Sequence, residues 1–199
     1  MKEEGVIKFN CNWIKKEALP AEQVKELNNW RNKLYHEKLL GVTTDGIGYG
    51  NISRRFKQNT FIISGSGTGR LKKLKSVHYS LVTRYNFNEN TLTAEGPVKA
   101  SSESLTHAAI YECSQQTQFV FHVHHLQLWK NLLKLLPSTG SSIAYGTTAM
   151  AAEIFRLFKE HDMDKQGIFA MGGHEEGVIS FGKTASEAGQ VILDSLKEL

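Results

Sequence analysis

Short runs of β-branched and aromatic residues alternate with amphipathic segments along this sequence, and the connections between them are short. Residues 61–63 and 118–124 are typical of strands, whereas residues 21–35 repeat apolar groups at the three- and four-residue spacing of a helix. The 199 residues contain three prolines and no low-complexity linker, and they suffice for one core but not for two. We predict a single α/β domain over residues 1–199, with several antiparallel strands because their connections are short.

Periodicity places the remaining elements. Further strands are predicted at 78–85, 167–171 and 178–181, and further helices at 102–113, 126–136 and 148–160. A last helix is predicted to start at a capping box, in which Thr184 caps the first turn and Glu187 reaches back.

Charge and cysteine content narrow the class of protein. The net charge of +4 and the pI of about 9.0 suit an anionic ligand, and the basic residues near positions 54–57 and 70–75 are predicted to form a solvated face. No recognition-helix motif accompanies them, so we expect no nucleic-acid partner. Two cysteines far apart make no disulfide framework, and no apolar run resembles a signal peptide or a membrane span. A cytoplasmic location follows as the expectation.

A His-x-His pair ends the apolar run at 118–124. Alternate side chains of a strand share one face, so His122 and His124 point to the same side while Val123 points to the other. Their Cα atoms would lie roughly 6.6 Å apart at ~3.3 Å rise per residue, which lets both imidazoles reach one metal ion. The pattern indicates a metal site, although histidine pairs also arise by chance. His125 faces the opposite side, and we predict a structural role for it.

A third ligand must come from elsewhere in the chain. His174 lies in a glycine-flanked turn between the predicted strands 167–171 and 178–181, where backbone freedom can aim its ring inward. Three histidines would leave one coordination position of a zinc ion open for substrate or water, as a catalytic site requires. The alternative is a solvent-exposed loop histidine that binds nothing.

The predicted helix 102–113 begins with two serines and a glutamate. Ser101 and Ser102 place hydroxyls beside the unpaired N–H groups of the first turn, which is an arrangement that binds phosphate and is also that of ordinary N-capping. Glu103 either complements the helix dipole or takes part in chemistry. His107, four residues on, is predicted to pair with Glu103 along the helix face.

Taken together, these stretches resemble the class II aldolase/adducin family over about residues 24–195. Each segment alone is a weak signal, whereas six of them in the family's order make a specific one. The six are Gly50-Asn51-Ile52-Ser53-Arg54, Ile63-Ser64-Gly65-Ser66-Gly67, Ser101-Ser102-Glu103, His122-Val123-His124, Tyr145-Gly146-Thr147, and His174 with Gly177, Gly182-Lys183 and Glu187-Ala188.

The resemblance implies a three-layer α/β/α sandwich with a central, mainly antiparallel sheet, assembled as a homotetramer with active sites between subunits. It implies that Zn²⁺ or another divalent ion is bound by His122, His124 and His174, and that Glu103 is the catalytic acid/base. It also implies a reaction, the aldolase-type cleavage of a phosphorylated sugar through a metal-stabilised enediolate. The implied binders of the substrate phosphate are Asn51, Ser66, Gly67, Ser101 and Ser102.

Two departures from the family leave the reaction open. Relatives with aldolase activity use tyrosines of a neighbouring subunit as proton donors, but only about twenty residues separate His124 from Tyr145 here, and no tyrosine occurs near residue 199. A sugar-phosphate 4-epimerase or a methylthioribulose-phosphate-type dehydratase on the same scaffold is therefore an alternative, with Tyr145 or Tyr111 as candidate donors. A non-catalytic adducin-like interaction module is a further alternative, although such modules lack the three histidines.

Overall fold

The structure is a computed structural model that describes residues 5–199. These residues form six α-helices and two short 3₁₀ turns at 68–70 and 76–78. None of the helices in this part of the chain is both long and apolar enough to cross a bilayer. The five helices that periodicity predicts are present within two residues of their predicted bounds, and α5 is an addition. The helices are α1 Glu22–His36, α2 Ser104–Cys113, α3 Leu126–Leu135, α4 Thr148–Glu160, α5 Met163–Gln166 and α6 Ala185–Lys197.

The start of α6 confirms the predicted cap. Thr184 Oγ1 accepts a hydrogen bond from the Glu187 N–H at 3.1 Å. The Glu187 carboxylate reaches back by one residue more than predicted, because its Oε2 accepts from the Lys183 N–H at 2.8 Å. Both bonds satisfy backbone N–H groups at the beginning of the helix, so the Thr184–Glu187 pattern correctly predicts where α6 starts.

The strands fall into a central sheet and a small hairpin. The central sheet has eight strands in the order β1-β7-β6-β5-β4-β8-β10-β9, and β2 pairs with β3. The strands are β1 Asn10–Lys15, β2 Gly41–Val42, β3 Gly48–Tyr49, β4 Asn51–Lys57, β5 Thr60–Ser64, β6 Tyr79–Asn86, β7 Thr91–Gly96, β8 Phe119–His124, β9 Ile168–Ala170 and β10 Gly177–Gly182.

The central sheet is mixed, which corrects the expectation of a mainly antiparallel one. Strand β1 pairs with β7 in parallel, and Asn10 lies opposite Thr91 in that register. The other neighbours in the sheet run antiparallel. Short connections predict antiparallel pairing only between strands that follow each other in sequence. β1 and β7 are separated in sequence by α1 and five strands, so short connections do not predict whether these two strands pair or in which direction.

Helices cover both faces of the sheet. One hydrophobic cluster joins α2 and α4 to one face, and a second joins α1, α3 and α6 to the other. Strand β8 contributes to both, because Val120 belongs to the first cluster and Phe121 and Val123 to the second. By the same alternation His122 and His124 face the layer of α2 and α4.

One end of the sheet gathers the segments that carry the predicted site residues. Antiparallel neighbours begin where the adjacent strand ends, so β4 and β10 start beside the end of β8. Asn51 accordingly lies opposite His122, and Gly177 lies opposite His124. The loop after β5 leaves from the same end, because Ser53 of β4 lies opposite Ile63 of β5.

Candidate metal centre

The two histidines of β8 are held between two neighbouring strands. Pairing with β4 and with β10 fixes the backbone of β8 on both sides. The ring centroids of His122 and His124 lie 4.9 Å apart. The shared face that their spacing predicts is therefore confirmed, and both rings are buried beneath the layer of α2 and α4.

His174 reaches this pair from the turn between β9 and β10. Its ring centroid lies 5.2 Å from that of His122 and 4.8 Å from that of His124. One nitrogen of each ring lies within 4.8 Å of the other two. The turn requires Gly177, because a Cβ added there would lie 2.4 Å from His174 Cδ2. The predicted meeting of the three histidines is present, and the alternative of an exposed His174 is wrong.

The arrangement fits a divalent metal ion. Nitrogens bound at about 2.0–2.1 Å to a tetrahedral zinc lie ~3.3 Å from one another, so small side-chain movements suffice to converge on one ion. His122 Nε2 is buried and has no hydrogen-bond partner among residues 5–199. An ion would satisfy that atom, and three histidines would leave one position for a substrate oxygen.

Burial also gives His122 the protonation state that a ligand needs. The pKa of His122 lies well below its usual value of 6.5, chiefly because burial removes water from the ring. Positive charge on His124, His174 or His107 would lower that pKa further. The ring is therefore neutral at physiological pH and offers a lone pair to a metal.

Asn51 contacts the other nitrogen of the same ring. Its Nδ2 lies 3.3 Å from His122 Nδ1, while its Oδ1 is buried with no hydrogen-bond partner in the described part of the chain. A metal on Nε2 leaves a proton on Nδ1, and a rotated Asn51 amide would accept that proton through Oδ1. Asn51 thus contacts a histidine of the cluster, and its predicted role in phosphate binding stays a prediction.

Glu103 lies beside the three histidines at the start of α2. It is buried, and its Oε1 lies 3.8 Å from His174 Nε2. Its Oε2 accepts a hydrogen bond from Thr106 Oγ1 at 2.8 Å. The helix therefore fixes one carboxylate oxygen and directs the other toward the histidine cluster.

The two loops predicted to bind phosphate are neighbours. The Ser66 N–H donates to the Lys99 carbonyl at 3.0 Å, and Gly65 forms a β-bridge with Ala100. This contact brings Ser66 and Gly67 alongside the segment that holds Ser101 and Ser102.

Ser101 does not cap α2, although capping was the alternative predicted for it. Its Oγ accepts a hydrogen bond from the Glu103 N–H at 3.2 Å, but Glu103 is itself the N-cap residue of α2, and among the described residues no side chain caps this helix. Ser102 is buried next to Gly146, where a Cβ would lie 2.4 Å from the Ser102 carbonyl oxygen. The phosphate contacts of both serines stay predictions.

Comparison with known proteins decides the family. The family model described as "Class II Aldolase and Adducin N-terminal domain" matches residues 35–194, most of the chain. The chain belongs to the class II aldolase and adducin family. A comparison with curated protein sequences finds no match.

Solved structures with this fold include several aldolases. An L-fuculose 1-phosphate aldolase is 17% identical with a TM-score of 0.64, covering 91% of this chain and 84% of that one. The L-fuculose-1-phosphate aldolase from Thermus thermophilus is 18% identical with a TM-score of 0.60, covering 90% and 91%. The sugar-phosphate aldolase from Thermotoga maritima is 16% identical with a TM-score of 0.65, covering 88% and 91%. At these identities the similarity establishes the class II aldolase-like fold.

In this class II aldolase family member, His107 does not pair with Glu103 as predicted. The Ser53 hydroxyl lies 2.7 Å from His107 Nδ1 and 2.7 Å from the Tyr111 hydroxyl, deep between β4 and α2. Burial lowers the pKa of His107 to about 3. Tyr111 is fully buried with its hydroxyl at Ser53, away from the histidine cluster. Tyr145 is the candidate donor that lies beside the cluster, because its ring centroid is 4.6 Å from that of His174.

Sequence reasoning missed two residues beside His124. The Glu176 carboxylate lies 4.0 Å from His124 Nδ1, which is within ion-pair distance but longer than a direct hydrogen bond. The Tyr49 ring lies 5.2 Å from the His124 ring, at the edge of a cavity of about 500 Å³ formed by the β2–β3 hairpin. Both residues are adjacent in sequence to recognised segments, since Glu176 follows His174 by two positions and Tyr49 precedes Gly50.

His125 has the structural role that was predicted. It caps α3, and its Nδ1 accepts a hydrogen bond from the Leu128 N–H at 3.1 Å. The His125 side chain therefore stabilises the start of α3, whereas His122 and His124 belong to the histidine cluster.

Proposed function

We propose that this protein is a zinc-dependent lyase of the aldolase type that acts on a phosphorylated sugar. The observation that carries the proposal is the convergence of His122, His124 and His174 on one point with the Glu103 carboxylate beside them. Three imidazole ligands and an open fourth position are typical of catalytic zinc. Family membership supports enzymatic activity, and the zinc ion and the sugar phosphate are proposed here.

The bound ion would supply Lewis-acid stabilisation for charge that develops on the substrate carbonyl oxygen. Glu103 then exchanges the proton. Its Oε2 is held by Thr106, and its Oε1 lies on the side of His174, where it takes a proton from the substrate or returns one to it. Burial of the carboxylate keeps water away from the proton while it is in transit.

The phosphate group would be anchored by the loops after β5 and before α2. Ser66, Gly67, Ser101 and Ser102 lie on these adjacent loops, and Asn51 starts the strand beside them. Backbone N–H groups at the start of a helix attract an anion without any lysine. Such anchoring would hold the reacting carbon in a fixed position relative to the histidines, which is a large source of rate enhancement.

Epimerisation at carbon 4 and dehydration are the alternatives that use the same residues. Both require the metal and Glu103, and they differ in which group departs and which proton donor serves it. Tyr145 lies beside His174 and is the candidate donor within one subunit. We propose a homotetramer, as the family resemblance implies, in which a neighbouring subunit can contribute further groups to the site.

Two measurements test the proposal. Elemental analysis of the purified protein is expected to give one zinc per chain, and product analysis with a panel of ketose and aldose phosphates is expected to give carbon–carbon cleavage. A product of unchanged mass would identify an epimerase, and loss of water would identify a dehydratase. A chain that binds no divalent ion and keeps its full thermal stability in chelator would instead favour the interaction module.

A further inference from the structure

The groups that surround the histidine cluster are almost closed to solvent. Exposure is 0% for His122, 8% for His124, 6% for His174 and 2% for Glu103. A substrate as large as a sugar phosphate must place one oxygen at the centre of this cluster. The cavity of about 500 Å³ is lined by His124 but not by His122 or His174, so a covering segment that moves would widen the access to these two histidines.

A segment at the N-terminus lies against one side of the cluster. We call residues 5–9 the strap. The Val6 N–H donates to the Tyr145 hydroxyl at 3.1 Å, and the Lys8 ammonium lies 4.1 Å from the centre of the Tyr145 ring. The Tyr145 ring also contacts the histidines, since its centroid lies 4.6 Å from the ring of His174. The strap thus rests on the residue that covers His174.

The beginning of the strap reaches the other side of the cluster. A Cβ built on Gly5 would lie 3.4 Å from Ile47 Cγ2. Ile47 lines the cavity of about 500 Å³ that adjoins His124. The strap therefore extends from the His174 side to the His124 side.

The two ends of the strap are held differently. Phe9 is buried in the core, and the Asn90 side chain donates to the Lys8 carbonyl at 2.9 Å, just before β1 begins. At the front, the contacts among the described residues include the hydrogen bond from Val6 and the cation over Tyr145, and contacts of these kinds each shift an equilibrium by about two- to tenfold. Phe9 and the Lys8 backbone can therefore act as a hinge while residues 5–7 and the Lys8 side chain detach.

We propose that the strap is a gate, whose release from Tyr145 opens the histidine cluster to small molecules. The strap precedes residue 35, where the match to the family model begins. The proposal rests on the proposed function only for the identity of the molecule that passes. Access to the histidines can be measured without zinc, substrate or turnover.

The test uses zinc-free full-length protein and diethyl pyrocarbonate, which modifies neutral imidazoles. Tyr145→Phe keeps the ring but removes the acceptor of the Val6 N–H, and Lys8→Met removes the cation. The rate of carbethoxylation of His124 and His174 is measured by mass spectrometry. We expect this rate to rise about two- to tenfold in each variant, because the reagent reaches the histidines only in the fraction of molecules whose strap is detached.

Controls separate gating from a general loosening of the fold. Lys16→Met removes a cation that pairs with Glu95 away from the cluster, and the exposed His36 and His161 report the intrinsic reactivity of the reagent. These rates are expected to match those of the wild type. Equal rates at His124 and His174 in wild type, Tyr145→Phe and Lys8→Met would overturn the gate. Failure to find zinc would overturn the proposed function and leave the result on the gate unaffected.

Discussion

His124 and His174 bring their Nε2 atoms to 3.1 Å although 50 positions separate them in the sequence. Two imidazole nitrogens at this distance share either a proton or an ion, because two lone pairs facing each other repel. The contact joins the end of a central strand to the turn between β9 and β10.

His122→Ala is expected to remove most of the bound zinc. The variant loses one of three ligands, so the zinc affinity should fall by more than the ~10–100-fold effect of outer partners. The matched control is His125→Ala, which is expected to lose ~1 kcal/mol of stability as a helix cap but to retain the zinc. Metal content after dialysis checks both variants, and equal retention would refute the strand-face argument.

Glu103→Gln is expected to keep the fold and the metal but to lose turnover. An amide cannot exchange the proton, so we expect kcat to fall by ~10²–10⁴-fold. Steady-state kinetics and elemental analysis on the same preparation provide the measurement. Glu112→Gln is the control, because this carboxylate accepts from the Tyr85 hydroxyl away from the cluster. An active Glu103→Gln enzyme would rule out Glu103 as the proton carrier.

Gly177→Ala is expected to weaken zinc binding without touching a ligand. The added Cβ would lie 2.4 Å from His174 Cδ2 and 2.9 Å from the His174 carbonyl, so the ring must shift. We expect a ~10–100-fold loss of zinc affinity, as for other changes that misorient a ligand. Competition titration with a chromophoric chelator measures it. Gly140→Ala, which meets the Ile143 side chain at 3.2 Å, should bind zinc normally; the same affinity in both variants would contradict the steric argument.

His107 is expected to make the protein sensitive to acid. Burial lowers its folded pKa to about 3, whereas the unfolded pKa is near 6.5, so the unfolded chain binds the extra proton first as the pH falls. The contribution of His107 to stability is complete above pH 6.5 and declines between about pH 6.5 and 3, by at most ~1.4 kcal/mol per pH unit.

Denaturant unfolding at several pH values checks this expectation. His107→Gln keeps a polar side chain facing Ser53 but does not titrate, so the acid slope should flatten relative to wild type. His161→Ala alters an exposed histidine and should leave the slope unchanged. Parallel slopes for wild type and His107→Gln would show that burial of this ring does not govern acid stability.

Local physical chemistry alone determined much of this protein. The five long helices follow from apolar spacing and capping, and the shared face of His122 and His124 follows from the two-residue period of a strand. The glycines that flank His174 in a turn indicate that its ring can be aimed inward. These features depend only on residues close together in the chain, so the sequence contains the information needed to predict them.

Tertiary structure alone decided the pairing of β1 with β7, the contact of Ser53 with His107, and the passage of the strap over Tyr145. Each of these joins segments that are far apart in sequence, and no local periodicity encodes which distant partner a segment will meet. The same reason explains why Glu176 and Tyr49 were missed beside His124. Their importance comes from the packing of the β9–β10 turn and the β2–β3 hairpin around one end of the sheet, and that packing exists only in the folded chain.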